Sequence, residues 1–156
     1  MVRLSDLNQD EAEHLVKRLE SVDTVEAAPW LTARPLSQCT VAVVSTAGLH
    51  RLDDRPFTFG ALDYRLIAGD EDPASLVMSH VSTNFDRSAL QQDLNVCLPM
   101  DRLRELADSG KIAGLAPWHY SFMGAIANPV SLEAMGEEVG RLLAADDVDI
   151  ALLIPV

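Results

Sequence analysis

Histidines and aspartates in the polar loops of this sequence are the residues best suited to chemistry. His50 follows an apolar run by a few residues, His80 closes another, and His119 lies in a Trp-His-Tyr stretch. An imidazole that is neutral near pH 7 can move a proton either way, and a nearby carboxylate can orient it. A His/Asp acid–base cluster is therefore a candidate site, although scattered histidines and aspartates are more often solvated surface. The carboxylates in the same loops are Asp53, Asp54, Asp86 and Asp93.

Other kinds of site have weaker support. His50-x-x-Asp53 together with His80 could bind a metal, but metal ligands normally have tighter spacing than this. Cys39 and Cys97 lie in apolar surroundings, where a cysteine is usually a buried small hydrophobe rather than a reactive group. The sequence contains no G-x-G-x-x-G or G-x-x-x-x-G-K-[ST] loop and no G-x-S-x-G elbow. Nucleotide binding and serine hydrolysis therefore have no motif to support them.

Length, charge and hydropathy bound the class of protein. The chain has 156 residues, enough for one domain with a core, and a net charge of −12 from 24 acidic and 12 basic residues. Such a charge repels phosphate backbones and anionic lipids, so neither nucleic acid nor membrane is an expected partner. No apolar run approaches the roughly 20 residues that cross a bilayer, and the polar N-terminus is unlike a signal peptide. We expect a single cytoplasmic domain over residues 1–156.

Strand and helix signals alternate along the chain. Residues 40–45 and 149–154 are continuous apolar runs, typical of strands covered on both faces. Residues 64–68, 75–80 and 112–123 are further strand candidates, and the last is expected to break near its proline. Alternation of this kind predicts an α/β fold, a mostly parallel sheet with helices on both faces, Rossmann- or flavodoxin-like. Ligands of such sheets bind outside the carboxyl ends of the strands, where the loops with the histidines would lie.

Capping residues predict three helices. A helix over residues 8–21 begins with a capping box, and its leucines and valines form one apolar face. A helix over 99–109 ends at Gly110 and points Leu106 inward. Asn128 caps the last helix and is followed by a proline in the first helical position.

An ordered set of stretches is similar to one known family. These stretches are Ser45-Thr46-Ala47-Gly48-Leu49-His50, His80 through Asp86 to Asp93, and the segments 98–106, 110–114, 120–124 and 148–153. Together they resemble the selenoprotein B family of glycine, sarcosine, betaine and D-proline reductases over about two-thirds of the chain, with residues 1–40 outside. Pro-x-Asp-Arg-Leu-x-Glu-Leu followed by Gly-Lys-Ile is especially similar to the D-proline reductase version.

The resemblance implies a nucleophile that is absent from this sequence. In the family the last strand runs into a selenocysteine or cysteine, and here that position would follow Val156. Neither Cys39 nor Cys97 matches it. Since the UGA codon of selenocysteine is otherwise read as a stop, we expect a truncated chain, whose fold would lack its last helix and strand. A genuine short paralogue that ends on its last strand is the alternative.

The same resemblance implies reductive cleavage of a C–N bond in a small amino acid or methylated glycine. The nucleophile attacks the carbon next to nitrogen, a partner subunit with a pyruvoyl group activates the amine, and dithiols supply electrons. No cofactor is implied in this chain itself. His80 and His50 are implied as proton donors to the leaving amine. Asp86 and Asp93 are implied as groups that orient a histidine or hold the substrate's ammonium group.

Two other functions stay open at this point. A non-catalytic scaffold or accessory subunit would account for the missing nucleophile. An acid–base or metal-dependent enzyme, such as a lyase, would use His50 and His80 alone. The sequence thus leaves open whether the chain as given is an enzyme. Apolar surface left by a missing cap predicts association, as a homo-oligomer or by aggregation.

Overall fold

Strands and helices alternate in the computed structural model, which describes residues 3–20, 22–23, 31–82 and 87–156. The strands are β1 (Thr40–Ser45), β2 (Leu49–Arg51), β3 (Tyr64–Ala68), β4 (Leu76–Met78), β5 (Gly114–Leu115), β6 (Trp118–Phe122) and β7 (Ile150–Ile154). The α-helices are α1 (Gln9–Glu20), α2 (Ser88–Gln92), α3 (Met100–Asp108) and α4 (Glu133–Ala145). In these ranges no helix is both long and apolar enough to cross a bilayer.

A mixed sheet of five strands has β1 at its centre. On one side β1 pairs in parallel with β7, from Val41 with Ile150 to Ser45 with Ile154. On the other side it pairs in parallel with β5 and then with β6, and β3 runs antiparallel to β6. β2 and β4 form a separate antiparallel pair. The α/β class is confirmed, but the mostly parallel Rossmann- or flavodoxin-like arrangement is not, because the sheet is mixed.

At the break between β5 and β6, the side chain of His119 supplies the hydrogen-bond acceptor that the strand backbone would otherwise provide. β5 ends before Pro117, as the sequence predicts, and β6 begins after it. At this gap the Val43 N–H of β1 donates to His119 Nδ1 at 2.9 Å, where a regular ladder would offer a carbonyl. His119 is fully buried and does not lie in a polar loop. The imidazole thus satisfies a buried backbone N–H inside the sheet, in the place of a backbone carbonyl.

Helices cover both faces of the sheet, as predicted. The face with Val41 and Val43 packs with Leu103 of α3 in the larger core cluster. The opposite face packs Tyr120 of β6 against Val139 of α4. Successive residues of a strand point to opposite faces, so one strand can supply side chains to both clusters.

The later helices follow their predicted caps. Gly110 ends α3 in the left-handed region, with φ of 68°, a conformation that glycine adopts without a steric penalty. The Asn128 side chain accepts a hydrogen bond from the Val130 N–H at 3.1 Å, and a 3-10 turn then leads into α4. Leu106 of α3 is exposed, so the prediction that it points inward is wrong.

The first helix, α1, also forms where the sequence predicts it. The Glu11 N–H donates to Asn8 Oδ1 at 2.9 Å, which satisfies one of the donors left open at a helix N-terminus. The predicted apolar face, however, is not covered by the part of the chain that the structure describes, since Leu15, Val16 and Leu19 are exposed. α1 therefore adds no residue to the described core.

The strand β7 lies at an edge of the described sheet. It pairs with β1 alone, and its Leu153 side chain is 68% exposed. The prediction that residues 149–154 are covered on both faces is therefore wrong for the described residues. An edge strand with exposed leucines offers both unpaired backbone groups and apolar surface to another chain.

We expect Leu153→Lys to reduce self-association of the 156-residue chain. A charge on an edge strand opposes edge-to-edge pairing, and a solvent-facing substitution changes the free energy of unfolding by less than about 0.5 kcal/mol. Sedimentation velocity across a concentration series measures the effect. Leu52→Lys, at an exposed position after β2, is the matched control. Equal association of both variants and the parent would exclude β7 as the contact.

Candidate functional site

The carboxyl ends of β1, β6 and β7 meet at one edge of the sheet. Beyond β1, the Thr46 N–H donates to Ile154 O at 3.0 Å, and its Oγ1 accepts from the Val156 N–H at 2.8 Å. An isolated bridge joins Ala47 to Met123, the first residue after β6. The segments that follow the three parallel strands thus lie side by side, where α/β sheets commonly bind ligands.

His80 lies at this edge, two residues beyond β4, with 4% of its surface exposed. Gly48, with φ of 65°, brings the chain against it, since a Cβ there would lie 3.0 Å from His80 N. A Cβ on Gly124 would lie 2.9 Å from His80 Nε2 and 2.7 Å from Val156 O. The imidazole and the segment after β7 therefore approach the same point beside Gly124.

The hydrogen bonds of His80 define its tautomer. Nδ1 accepts from the Ser82 N–H at 3.2 Å, so the proton of the neutral ring is on Nε2, the nitrogen beside Gly124. Arg87 donates to the backbone oxygens of His80 and Ser82. Burial, and then the charge of Arg87, lower the pKa of His80 below its usual value. The ring is consequently neutral at pH 7 and presents an N–H to the edge.

His50 has a different environment from the one the sequence predicts. It lies on β2 and is buried, not in a polar loop. Its Nδ1 lies 2.7 Å from Arg51 O, which can only accept, so Nδ1 carries the proton. Its Nε2 lies 2.7 Å from Ser79 Oγ and therefore accepts from that hydroxyl. With both nitrogens engaged, His50 holds Ser79, the residue before His80.

The two predicted carboxylates do not share one described site with His80. Asp86 falls outside the described residues. Asp93 is exposed and accepts from the Asn95 N–H at 2.9 Å, and hydrogen bonds from Asn95 lower its pKa. It lines a cavity that also includes Ala68, which pairs with the first residue of β6. His80 lies past the other end of β6, so the structure does not bring Asp93 to it.

The carboxylates after β2 pair with arginines. Asp53 lies 3.0 Å from Arg51, and Asp54 lies 3.7 Å from Arg65, which is buried against the Phe57 ring. Within the described ranges, no group of three or more His, Cys, Asp and Glu side chains could hold a metal ion. The metal alternative based on His50 and Asp53 therefore gains no support from the geometry.

The sequence reasoning missed three residues at this edge, Thr46, Ser79 and Gly124. None of them carries a charge or titrates near neutral pH, so a search for reactive side chains passes over them. A signal was available for Gly124, because a glycine directly after a strand often marks close approach of another segment. Thr46 and Gly124 both lie in stretches that carry the family resemblance.

Neither cysteine has the environment of a reactive thiol, and we expect both to resist alkylation in the folded protein. Cys39 and Cys97 are fully buried, and burial raises the pKa of Cys97 to about 11. A buried thiol is rarely ionised at pH 8, and the thiolate is the nucleophile. Mass spectrometry after iodoacetamide treatment should show labelling at least about a hundredfold slower than in denaturant. Rapid labelling of the native chain would contradict this.

The fold and the site together define an α/β protein with a candidate site beyond the carboxyl ends of three parallel strands. The family model described as glycine/sarcosine/betaine reductase selenoprotein B matches residues 4–155. The chain belongs to this family, and the match includes most of the segment before residue 40.

Known relatives agree with this assignment. The D-proline reductase subunit gamma of Acetoanaerobium sticklandii is 34% identical over 145 residues, covering 89% of this chain and 59% of that protein. The betaine reductase complex component B subunit beta of Peptoclostridium acidaminophilum is 32% identical over 131 residues, covering 81% of this chain and 30% of that protein. The chain thus spans less than two-thirds of either relative. No solved structure matches it.

Proposed function

We propose that this chain is a selenoprotein B-like subunit of a reductase that acts on a small amino acid or methylated glycine. The reductase cleaves a C–N bond with a dithiol as electron donor, and its nucleophile follows Val156. The family membership supports the reaction class, and the D-proline reductase relative makes a cyclic or small amino acid the first substrate to test.

The observation that carries the proposal is the approach of Val156 to His80. Val156 O and His80 Nε2 both lie within 3.0 Å of the position that a Gly124 Cβ would occupy. A selenolate or thiolate in the next residue would be placed beside an imidazole N–H at a sheet edge. That surrounding favours the anionic form of the nucleophile, which is its reactive form.

The proposed step balances in atoms and electrons. The selenolate or thiolate attacks the carbon bonded to nitrogen, the C–N bond breaks, and its electron pair leaves with the nitrogen. The nitrogen takes up a proton and departs as the amine. A dithiol then reduces the bond between carbon and the nucleophile, which regenerates the nucleophile, gives the C–H product and leaves a disulfide.

His80 is the proposed source of the proton for the leaving amine. Its Nε2 faces the edge, and the imidazolium form, a minority at pH 7 because the pKa is lowered, is the form that gives up the proton. His50 was predicted for the same role, and its engagement with Ser79 and Arg51 O supports a role in orienting the residue before His80. Asp86 and Asp93 stay predictions as partners of a histidine or of the substrate ammonium. Because Asp93 does not lie beside His80, it could act on the substrate only if another surface of the assembled reductase brought the substrate to it.

Partner subunits are part of the proposal, because the named relatives are subunits of reductases or of reductase complexes. A pyruvoyl group on such a partner would activate an amine substrate. We also propose a cytoplasmic location, where the two free, buried cysteines would stay reduced.

Two measurements test the function. The coding sequence after the Val156 codon should read UGA or a cysteine codon, followed by an open frame. The assembled reductase should then release amine or cleave the ring of D-proline only when a dithiol is supplied. A different terminator, with no turnover of any of the four substrate types, would reject the reductase function and favour an accessory subunit.

A further inference from the structure

We propose that Gly124 and Thr46 are positioning residues that hold the segment following β7 against the ring of His80. The inference rests on the proposed function for the identity of the residue held there, a selenocysteine or cysteine. It goes further because it assigns a role to two residues that carry no reactive group.

Gly124 is required for space and not for backbone conformation. The described glycines with positive φ are Gly48, Gly60 and Gly110, so the backbone of Gly124 is one that other residues adopt. A Cβ at Gly124 would lie 2.6 Å from Thr46 O, 2.7 Å from Val156 O and 2.9 Å from His80 Nε2. Real Cβ atoms essentially never approach other atoms this closely. Two of the three are backbone oxygens, which cannot swing aside as a flexible side chain can.

Thr46 holds the chain beyond the last regular pair of the β1–β7 ladder. Its N–H donates to Ile154 O at 3.0 Å. The next residue, Pro155, has no N–H to give. The N–H of Val156 donates instead to Thr46 Oγ1 at 2.8 Å. The hydroxyl thus fixes the residue after the proline, at the point where the backbone ladder ends.

The two residues act on the same geometry from different sides. Thr46 sets the direction of the chain at Val156, and the missing side chain of Gly124 lets the imidazole of His80 come up to it. A residue attached to Val156 therefore starts from a fixed position, which lowers the entropy cost of aligning a nucleophile with its proton donor.

An appended cysteine tests this geometry in the 156-residue chain itself. The parent protein receives a Cys-Gly-Gly extension after Val156, and the alkylation rate of the new thiol with iodoacetamide is followed from pH 6 to 9. Cys39 and Cys97 are fully buried, so the new thiol is the one that reacts. A thiol held beside His80 should react about threefold to tenfold faster at pH 7 than the same thiol in an unstructured peptide.

Variants of the extended protein identify the cause. His80→Ala and Thr46→Val should each lower the rate to that of the peptide, whereas Thr46→Ser keeps the hydroxyl and should keep the rate. Gly124→Ala should lower the rate as well. Gly136→Ala is the matched control, because a Cβ on Gly136 meets no atom within 4 Å, and it should leave the rate unchanged.

The outcomes separate this inference from the reductase function. A parent thiol no faster than the peptide, or a fast thiol that persists in Thr46→Val, overturns the positioning role. If Gly124→Ala does not fold, the positioning role is tested by Thr46→Val and Thr46→Ser alone. The reductase function is tested separately, by the codon after Val156 and by turnover of the assembled enzyme. Neither result changes the alkylation rate of the appended thiol.

Discussion

Replacing His119 with alanine is expected to lower the free energy of unfolding by about 3 to 4 kcal/mol at pH 7. The change removes the acceptor of the buried Val43 N–H, and an orphaned buried donor costs about 1–3 kcal/mol. It also opens a cavity in a fully buried site, which adds a further cost of a similar size. His119→Asn keeps an acceptor near the position of Nδ1 and should lose about half as much. Urea unfolding monitored by circular dichroism measures both.

The same residue should make stability depend on pH. Burial lowers the pKa of His119 to about 4, well below the ordinary value of about 6.5 that applies in the unfolded chain. The unfolded state therefore binds more protons. The contribution of neutral His119 to the free energy of unfolding is complete above about pH 6.5 and is lost as pH falls towards 4. The expected loss is about 3 kcal/mol over this window. The lowered pKa of His80 acts in the same direction.

Matched variants separate the two histidines from the rest of the chain. His119→Asn should flatten the pH dependence between 6.5 and 4, and His80→Gln should remove a smaller part. His14→Asn, at an exposed position of α1, should leave the curve unchanged. A wild-type slope in His119→Asn would show that the pKa of His119 does not differ between the folded and unfolded chains and that the stated cause is wrong.

The sequence predicted most strands and helices because their signals are local. Apolar runs located β1 and β3, and the Asn8 and Asn128 caps located the starts of two helices within a few residues. What it could not predict depends on pairing between distant segments. β7 is as apolar as β1, yet β1 pairs with strands on both of its sides and β7 pairs on one side only. Composition alone cannot distinguish the central strand from the edge strand.

The candidate site shows the same limit. The sequence predicted that the loops of His50 and His80 lie beside the carboxyl end of the last strand if the sheet is parallel. The structure brings His80 close to Val156, but from the separate antiparallel pair of β2 and β4. The family resemblance grouped Asp93 with His80, whereas the structure places Asp93 in a cavity with Ala68, which pairs with the first residue of β6. Partners such as Thr46 and Gly124 are identified only by distances across the fold.

Of the residues that the structure describes, His80 should be the one whose replacement lowers reductase activity most. In the assembled enzyme, with its nucleophile and dithiol donor present, we expect His80→Ala to lower kcat by about 10²- to 10³-fold, the usual contribution of a general acid. KM should change little, because the proton is needed in the transition state more than in substrate binding. Since the imidazolium form is the proton donor and burial and Arg87 lower the pKa of His80, the rate should fall as pH rises through a midpoint below about 6.5.

His80→Gln distinguishes proton transfer from hydrogen bonding at the same position. Glutamine can place an N–H near the position of Nε2, but it does not titrate. If His80 transfers the proton, the glutamine variant should be as slow as the alanine variant and should lose the fall in rate with rising pH. If it only donates a hydrogen bond, glutamine should retain activity within about tenfold of the parent. Wild-type rates in both variants would remove His80 from the mechanism, and His14→Gln serves as the control for a distant histidine.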